Sequence, residues 1–252
     1  MLKFVNSENE IDYNNTNAIT VQILQNNSNA KLLKKISEDS TLIFVLDIKE
    51  IVDIDEIIKK IIFLFQVAIK NNTDLGKLDN NEKVYGYIIK ENSGRSKQFE
   101  RLFMELFKIL EMKDIMKMYS YIYDAICEDL DDKFSKFNYC DFSNDKCIAQ
   151  RAGVSAHSTM GCCYMHTYSK IMSMPIDLGI CKFLDNKKCM YKCITCKLFT
   201  CKYLRDRGIK FSIKDYMVYR NFFNKKQYKI LEKTFFTPKE KIIELLIREN
   251  KV

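Results

Sequence analysis

The sequence predicts a predominantly helical α+β protein, in which a small three-stranded N-terminal α/β part is followed by helices and a metal-organised, cysteine-rich domain. Only 7 glycines and 2 prolines occur among 252 residues, whereas an average protein carries roughly 12% of the two together. An all-β sandwich or barrel needs a turn every ~8–12 residues, so this scarcity favours long helices. All ten cysteines lie between Cys127 and Cys201. We therefore expect two domains, residues 1–135 and 136–252.

The N-terminal domain alternates between strand-like and helix-like stretches. Three β-branched apolar runs have the length of strands, at residues 18–24, 41–48 and 84–89. A helix is predicted over residues 53–69, because Asp53 and Glu56 resemble a capping box and isoleucines follow at helical spacing. Residues 30–36 predict a shorter helix.

Four helices are predicted after residue 96. Apolar residues recur at i, i+3 and i+4 from Phe99 to Leu110, and again from Ile115 to Ile126. Cys127 falls near the end of the second stripe, so we interpret it as a buried small hydrophobe. Near the C-terminus, Ser212 and Asp215 resemble a capping box, and the run 237–240 has an N-cap threonine followed by proline at the first helical position.

The start of the chain and its hydropathy decide how the cysteines are interpreted. The first ten residues lack an apolar segment and turn acidic at once, which is unlike a signal peptide. The longest uncharged apolar run, residues 61–69, is far shorter than the ~20 residues that cross a bilayer. We therefore expect a cytoplasmic protein without membrane insertion. Thiols stay reduced in that compartment, so clustered cysteines favour a metal site over disulfides.

Nine cysteines within 62 residues are the candidate metal ligands. We expect one or two sites that hold an iron–sulfur cluster or zinc, since both accept tetrahedral sulfur, and the irregular spacing is closer to that of a [4Fe–4S] cluster. His166, four residues after Cys162, is either a further ligand or an ordinary histidine. With so few turn-forming residues, we expect the metal itself to organise this segment. The candidate ligands are Cys140, Cys147, Cys162, Cys163, Cys181, Cys189, Cys193, Cys196 and Cys201.

Part of this segment, roughly residues 140–205, resembles the zinc- or iron-chelating cysteine-cluster family (YkgJ-type). The resemblance is carried by Cys147, the Gly161-Cys162-Cys163 triplet, Cys181-x2-Leu184, Cys189 with Tyr191, and Cys201. It implies metal chelation by these cysteines. The Arg-Pro that usually precedes the last cysteine is replaced by Phe199-Thr200, and Cys193 and Cys196 are additional.

An enzymatic alternative rests on the spacing Cys189-x3-Cys193-x2-Cys196. This spacing resembles that of radical S-adenosylmethionine enzymes, in which three cysteines leave one iron of a [4Fe–4S] cluster open. Thr195 stands where those enzymes usually have an aromatic residue, and only 56 residues follow Cys196. A related cysteine cluster occurs in flagellin lysine methylases, so methyl or radical transfer on a protein is the second hypothesis. The sequence identifies no catalytic residue.

The C-terminal segment is basic and aromatic. Residues 202–252 hold 14 Lys/Arg against 6 Asp/Glu, whereas the rest of the chain is neutral. Bases stack on aromatic rings while cations follow phosphates, so residues 202–236 form a candidate nucleic-acid surface. The competing interpretation is an amphipathic pair of helices whose aromatics pack inward. The nine aromatics are Tyr203, Phe211, Tyr216, Tyr219, Phe222, Phe223, Tyr228, Phe235 and Phe236.

Overall fold

The computed structural model describes residues 2–6, 8–11, 18–22, 41–47, 53–70, 84–89, 94–143, 146–154, 165–169, 171–172, 174–185 and 188–250. They belong to two compact units, Met1–Lys113 and Asp114–Val252. The predominantly helical α+β class is confirmed. The division between the units falls before the long helix that contains residue 135, whereas the predicted boundary lies within that helix.

The first unit contains a parallel four-stranded sheet with the order β1-β4-β3-β2. The three predicted strands are confirmed, and the edge strand β1 is an addition. It is only four residues long, which is too short to show a clear alternation. The predicted helix at 30–36 lies outside the described residues. The elements in chain order are β1 (Leu2–Val5), a 3₁₀ turn (Glu8–Glu10), β2 (Ala18–Gln22), β3 (Thr41–Asp47), α1 (Ile54–Lys70), β4 (Val84–Ile89) and α2 (Gly94–Leu110).

Local capping and apolar faces explain the two helices of this unit. The Asp53 carboxylate accepts hydrogen bonds from the amides of Asp55 (2.9 Å) and Glu56 (3.1 Å), which begins α1 at the predicted place. The apolar face of α1, including Ile58 and Ile61, is fully buried, as is Phe103 of α2. The predicted stripes are therefore core faces.

The second unit is built around α3, whose N-cap Asp114 accepts a hydrogen bond from the Met116 amide at 2.8 Å. Helix α3 packs against α5 and α8, and α7 packs against both α5 and α8. The two hairpins in the cysteine segment are antiparallel, β5 with β6 and β7 with β8. The elements are α3 (Ile115–Phe137), α4 (Ile148–Arg151), β5 (Met165–Ser169), β6 (Met174–Gly179), β7 (Leu184–Asp185), β8 (Lys188–Cys189), α5 (Ile194–Leu198), α6 (Lys202–Arg205), two 3₁₀ turns (Ile213–Asp215 and Tyr219–Phe222), α7 (Lys225–Lys233) and α8 (Lys239–Arg248).

Both C-terminal capping patterns lie where helical turns begin, but the type of helix or its first residue differs from the prediction. Ser212 and Asp215 form the predicted reciprocal capping box, but it begins a 3₁₀ turn rather than a long helix. The last helix begins at Lys239 with Pro238 as its N-cap, one residue later than predicted. Among the described helices, none combines the length and the apolar character that crossing a membrane requires.

Candidate thiol site

The described cysteines of the second unit fall into two spatial groups. One is linked through Lys197, which contacts Cys189 and follows Cys193 and Cys196 in the same short helix. Cys181 is a neighbour of Cys189. We call these four cysteines the Lys197 thiol group: Cys181, Cys189, Cys193 and Cys196. The other packs around Tyr203, and we call it the Tyr203 thiol group: Cys140, Cys147 and Cys201. The eight cysteines that the structure describes carry reduced thiols. Cys162 and Cys163 lie outside the described residues, and so does His157. His166 lies in β5.

Cys193 and Cys196 form the best-defined pair. Cys193 is the N-cap of α5, Cys196 lies three residues along in the first turn, and the two side chains are hydrogen-bonded to one another. As a thiol, Cys193 donates a hydrogen bond to the Thr234 carbonyl, with Sγ 3.5 Å from the oxygen. The Phe236 amide donates to Cys196 Sγ at 3.4 Å. The turn between α7 and α8 therefore contacts both sulfurs of the pair.

The electrostatics of the pair favour a thiolate at Cys193. The hydrogen bond from the Cys196 side chain is the main cause that lowers the pKa of the Cys193 thiol to about 6. Burial acts in the opposite direction, whereas the backbone amides of Cys196, Thr237 and Phe236 lower the pKa further. A thiolate in this position is a stronger metal ligand than an ordinary protonated cysteine.

Two hydroxyl groups hold the loop that carries this pair. The Tyr123 hydroxyl accepts a hydrogen bond from the Ile194 amide (2.8 Å) and donates to the Lys192 carbonyl (2.9 Å). The Thr195 hydroxyl donates to the Leu231 carbonyl at 2.7 Å. Because these partners come from α3 and α7, the conformation of the five-residue α5 depends on tertiary contacts.

Phe236 adopts an unusual backbone conformation beside the pair. Its φ of 55° lies in the left-handed region, which is unfavourable for a bulky L-residue. The Phe236 amide faces Cys196, and its carbonyl accepts a hydrogen bond from the Tyr191 hydroxyl at 3.3 Å. Strained backbone of this kind persists only where neighbouring contacts hold it, and it is concentrated at functional sites.

Cys181 and Cys189 border the same region from the β7–β8 hairpin. Cys181 precedes β7, and its carbonyl accepts a hydrogen bond from the Leu184 amide at 2.9 Å. Cys189 ends β8 and donates from Sγ to the Tyr191 carbonyl at 3.5 Å. Burial raises the pKa of Cys189, and the nearby Cys181 raises it further, whereas Lys197 lowers it. These two sulfurs are therefore electrostatic neighbours.

Lys197 places a buried positive charge among the thiols. Only 6% of this lysine is exposed, and its ammonium group is paired with Asp131. The same ammonium group donates to the Cys189 carbonyl at 3.4 Å. A lysine is rarely buried so fully unless it is paired, and here it can offset the charge of neighbouring thiolates. In the sequence its position was indistinguishable from those of the other lysines in the segment.

Cys127 lies near this group and has the packing role predicted for it. It is 1% exposed, on the apolar face of α3. Burial raises the pKa of its thiol to about 12, and Lys197 offsets only part of that effect. A thiol in this environment stays protonated at physiological pH.

The Tyr203 thiol group lies in an apolar cluster rather than a polar pocket. Cys147 is 2% exposed and belongs to the cluster core, against which Cys140 and Cys201 pack. Cys147 and Cys201 are the N-caps of α4 and α6 respectively. Among the described residues, no three histidine, cysteine, aspartate or glutamate side chains converge closely enough to hold a metal ion.

Seven of the nine aromatic residues of the basic segment are buried or half-buried. Tyr203 and Phe223 are buried, and Phe223 stacks on Tyr119 at a centroid distance of 5.8 Å. Of the nine aromatics, only Phe235 and Phe236 are exposed, at 42% and 48%. This arrangement favours packing over a nucleic-acid surface along residues 202–236.

Comparison of the chain with protein-family models, curated proteins and solved structures gave no significant match.

Proposed function

We propose that the second unit binds metal through cysteine thiolates, with zinc or an iron–sulfur cluster held by the Lys197 thiol group. The observation that carries this proposal is the Cys193–Cys196 pair, in which a neighbouring turn supplies an amide hydrogen bond to sulfur. Hydrogen bonds to ligand sulfurs stabilise thiolates and tune metal centres in proteins.

The surroundings of the Lys197 thiol group can compensate part of the negative charge of a bound metal centre. Four thiolates with Zn²⁺ or with a [4Fe–4S]²⁺ core carry a net charge of −2, which is costly to bury without compensation. Lys197 supplies a buried positive charge next to the thiols, and Asp131, to which it is paired, is half exposed to solvent. The lysine therefore offsets part of the charge of the bound centre.

Binding at this group requires its two thiol pairs to converge on one centre. Cys181 and Cys189 lie on the β7–β8 hairpin, and Cys193 and Cys196 lie on α5, with only three residues between Cys189 and Cys193. Closing such short loops costs little conformational entropy. The metal would be held by these four side chains, and it would supply a structural or redox centre.

A second site is proposed at the Tyr203 thiol group. Cys140, Cys147 and Cys201 share one cluster although 61 residues separate the first from the last. The remaining candidate ligands, Cys162 and Cys163, lie outside the described residues and are assigned to neither group.

Metal content and alkylation footprinting test the proposal together. We expect protein purified without oxygen to contain iron with sulfide, or zinc, by elemental analysis. Bound metal should protect the Lys197 thiol group from N-ethylmaleimide, and chelation should remove this protection. Trypsin separates the relevant thiols, because residues 171–182 carry Cys181, residues 189–192 carry Cys189, and residues 193–197 carry both Cys193 and Cys196.

Matched variants distinguish binding from folding. The double variant Cys193→Ala/Cys196→Ala should lose the metal bound at this group, whereas Cys127→Ala, which removes another buried thiol of the same unit, should retain it. Absence of iron, sulfide and zinc from the wild-type protein, together with alkylation that is unchanged by added zinc, would overturn the proposal.

A further inference from the structure

The Cys193–Cys196 pair has the arrangement of a redox-active dithiol as well as that of a metal ligand pair. The two residues follow the C-x-x-C pattern, with the first cysteine as the N-cap of α5 and the second in its first turn. Cys189 directs its Sγ to the Tyr191 carbonyl, and Cys127 is packed in the apolar face of α3. The side chains of Cys193 and Cys196 are hydrogen-bonded to one another, which brings their sulfurs into contact.

We propose that Cys193 and Cys196 form a thiol–disulfide couple, which closes by exchange with a small-molecule disulfide and thereby withdraws two ligands from the metal site. The closure itself stands on the geometry of the pair. Its effect on metal rests on the proposed function.

Burial sets the order of the two exchange steps. Cys193 is completely buried, whereas 9% of Cys196 is exposed. The Cys196 sulfur therefore attacks oxidised glutathione first, forming a mixed disulfide and releasing one glutathione. The Cys193 sulfur then attacks the Cys196 sulfur, breaks the mixed disulfide and releases the second glutathione. Two cysteine thiols are oxidised, one oxidised glutathione is reduced to two thiols, and the two protons pass to those leaving thiols.

The turn above the pair responds to this change. The hydrogen bond from Cys193 Sγ to the Thr234 carbonyl needs a thiol proton, so it is lost when the disulfide forms. The Phe236 amide keeps a sulfur acceptor at Cys196 in both states. Disulfide closure therefore removes the sulfur contact to Thr234 and keeps the sulfur contact to Phe236.

Tryptic mapping of the metal-free full-length chain tests the couple directly. The chain is equilibrated with oxidised and reduced glutathione at several ratios, quenched with acid, unfolded in urea, alkylated and digested. We expect the peptide 193–197 to become lighter by two hydrogen atoms and to resist alkylation, while the peptides 189–192 (Cys189) and 118–133 (Cys127) remain alkylated. A peptide 193–197 that stays doubly alkylated, or that carries only bound glutathione, overturns the couple.

Single variants test the order of attack. Cys193→Ala should accumulate a stable glutathione adduct on Cys196, since the resolving sulfur is missing. Cys196→Ala should form little adduct on the buried Cys193. Adduct formation on Cys193 at a similar rate contradicts the proposed order, and the slow alkylation of Cys127 in each variant shows that the fold is retained.

The effect on metal is measured separately. Zinc-loaded protein is treated with oxidised glutathione while a chromogenic chelator reports released zinc. Zinc release in step with disulfide formation in peptide 193–197 supports the link, and a disulfide that forms with zinc retained contradicts it. Because the couple is tested without metal, a wild-type protein that binds none refutes the proposed function and leaves the couple to be judged by its own test.

Discussion

At the scale of single residues, the environment decides which chemistry a cysteine has. Cys127 and Cys193 are both buried in the second unit, at 1% and 0% exposure. Cys127 is surrounded by the apolar face of α3, and its pKa is raised, whereas the thiol and amide donors around Cys193 lower its pKa. Burial alone therefore does not set the pKa of a thiol, because the hydrogen-bond donors at its sulfur also contribute.

The raised pKa of Cys127 predicts a specific dependence of stability on pH. Between the ordinary thiol value of 9.0 and about 12, the folded chain keeps the Cys127 proton while the unfolded chain loses it. The contribution of this thiol to stability therefore falls as pH rises through that range, by about 1.4 kcal/mol per pH unit. The free energy of unfolding can be measured with urea for the metal-free, reduced protein at pH 8, 9 and 10. It should fall more steeply with pH for wild type than for Cys127→Ala. Parallel losses would contradict the assignment.

The left-handed conformation of Phe236 predicts an unequal response to glycine. Phe235 and Phe236 are adjacent, similarly exposed and both in contact with other rings, but only Phe236 has positive φ. Glycine relieves backbone strain of roughly 1 kcal/mol at position 236 and none at 235. Phe236→Gly should therefore be more stable than Phe235→Gly by about that amount in urea unfolding. Equal destabilisation would show that position 236 stores no strain.

At the scale of elements, short helices of the cysteine segment are held from outside. Helix α5 has five residues, and a helix of that length is not stable on its own. Tyr123 of α3 bonds the backbone on either side of Cys193, and Thr195 anchors α5 to α7. The site is thus positioned by the helices around it.

Removal of the Tyr123 hydroxyl tests this anchoring. Tyr123→Phe keeps the ring but leaves the Ile194 amide and the Lys192 carbonyl without their buried partner, which costs roughly 1–3 kcal/mol. Tyr216→Phe is the control, since its hydroxyl bonds a partly exposed Asp129 that water can reach. We expect Tyr123→Phe to lose more stability than Tyr216→Phe. Faster amide exchange in residues 193–197 is expected only in Tyr123→Phe. Equal losses in the two variants would argue against the anchoring role.

At the scale of the whole molecule, charge and cysteines are concentrated in one unit. Residues 114–252 contain all ten cysteines and 25 Lys/Arg against 16 Asp/Glu, whereas residues 1–113 contain 16 against 17. The second unit also contains α3, whose Tyr123 anchors the thiol-bearing loop. The chemistry of the thiols is therefore expected to reside in this unit.

Two fragments test the position of the boundary. The fragment 114–252 should bind as much metal per chain as the full-length protein, and with the same alkylation protection. The fragment 136–252 retains every candidate ligand but lacks most of α3, so it should lose the protection of peptide 193–197. Equal protection in the two fragments would show that α3 is dispensable and would favour the boundary near residue 135.

The secondary-structure elements that could be predicted are those whose sequence pattern is local. The strands at 18–22, 41–47 and 84–89 and the helices α1, α2 and α3 follow from apolar periodicity and caps that span a few residues. Strand β1 was missed because four residues carry too little pattern, and it is defined by pairing with β4. The 3₁₀ turns at 213–215 and 219–222 replace a predicted helix for which only the start signal was local.

By itself, the sequence determined the fold class, the buried faces of the long helices and the concentration of nine thiols in one segment. Only the tertiary structure decided that Cys193 and Cys196 lie beneath the turn of Phe236, and that Lys197 is the buried cation beside them. The physical reason is separation along the chain. Cys196 meets its amide donor 40 residues away, and Tyr123 meets its amide donor 71 residues away. Such contacts depend on how helices pack, which local periodicity does not encode.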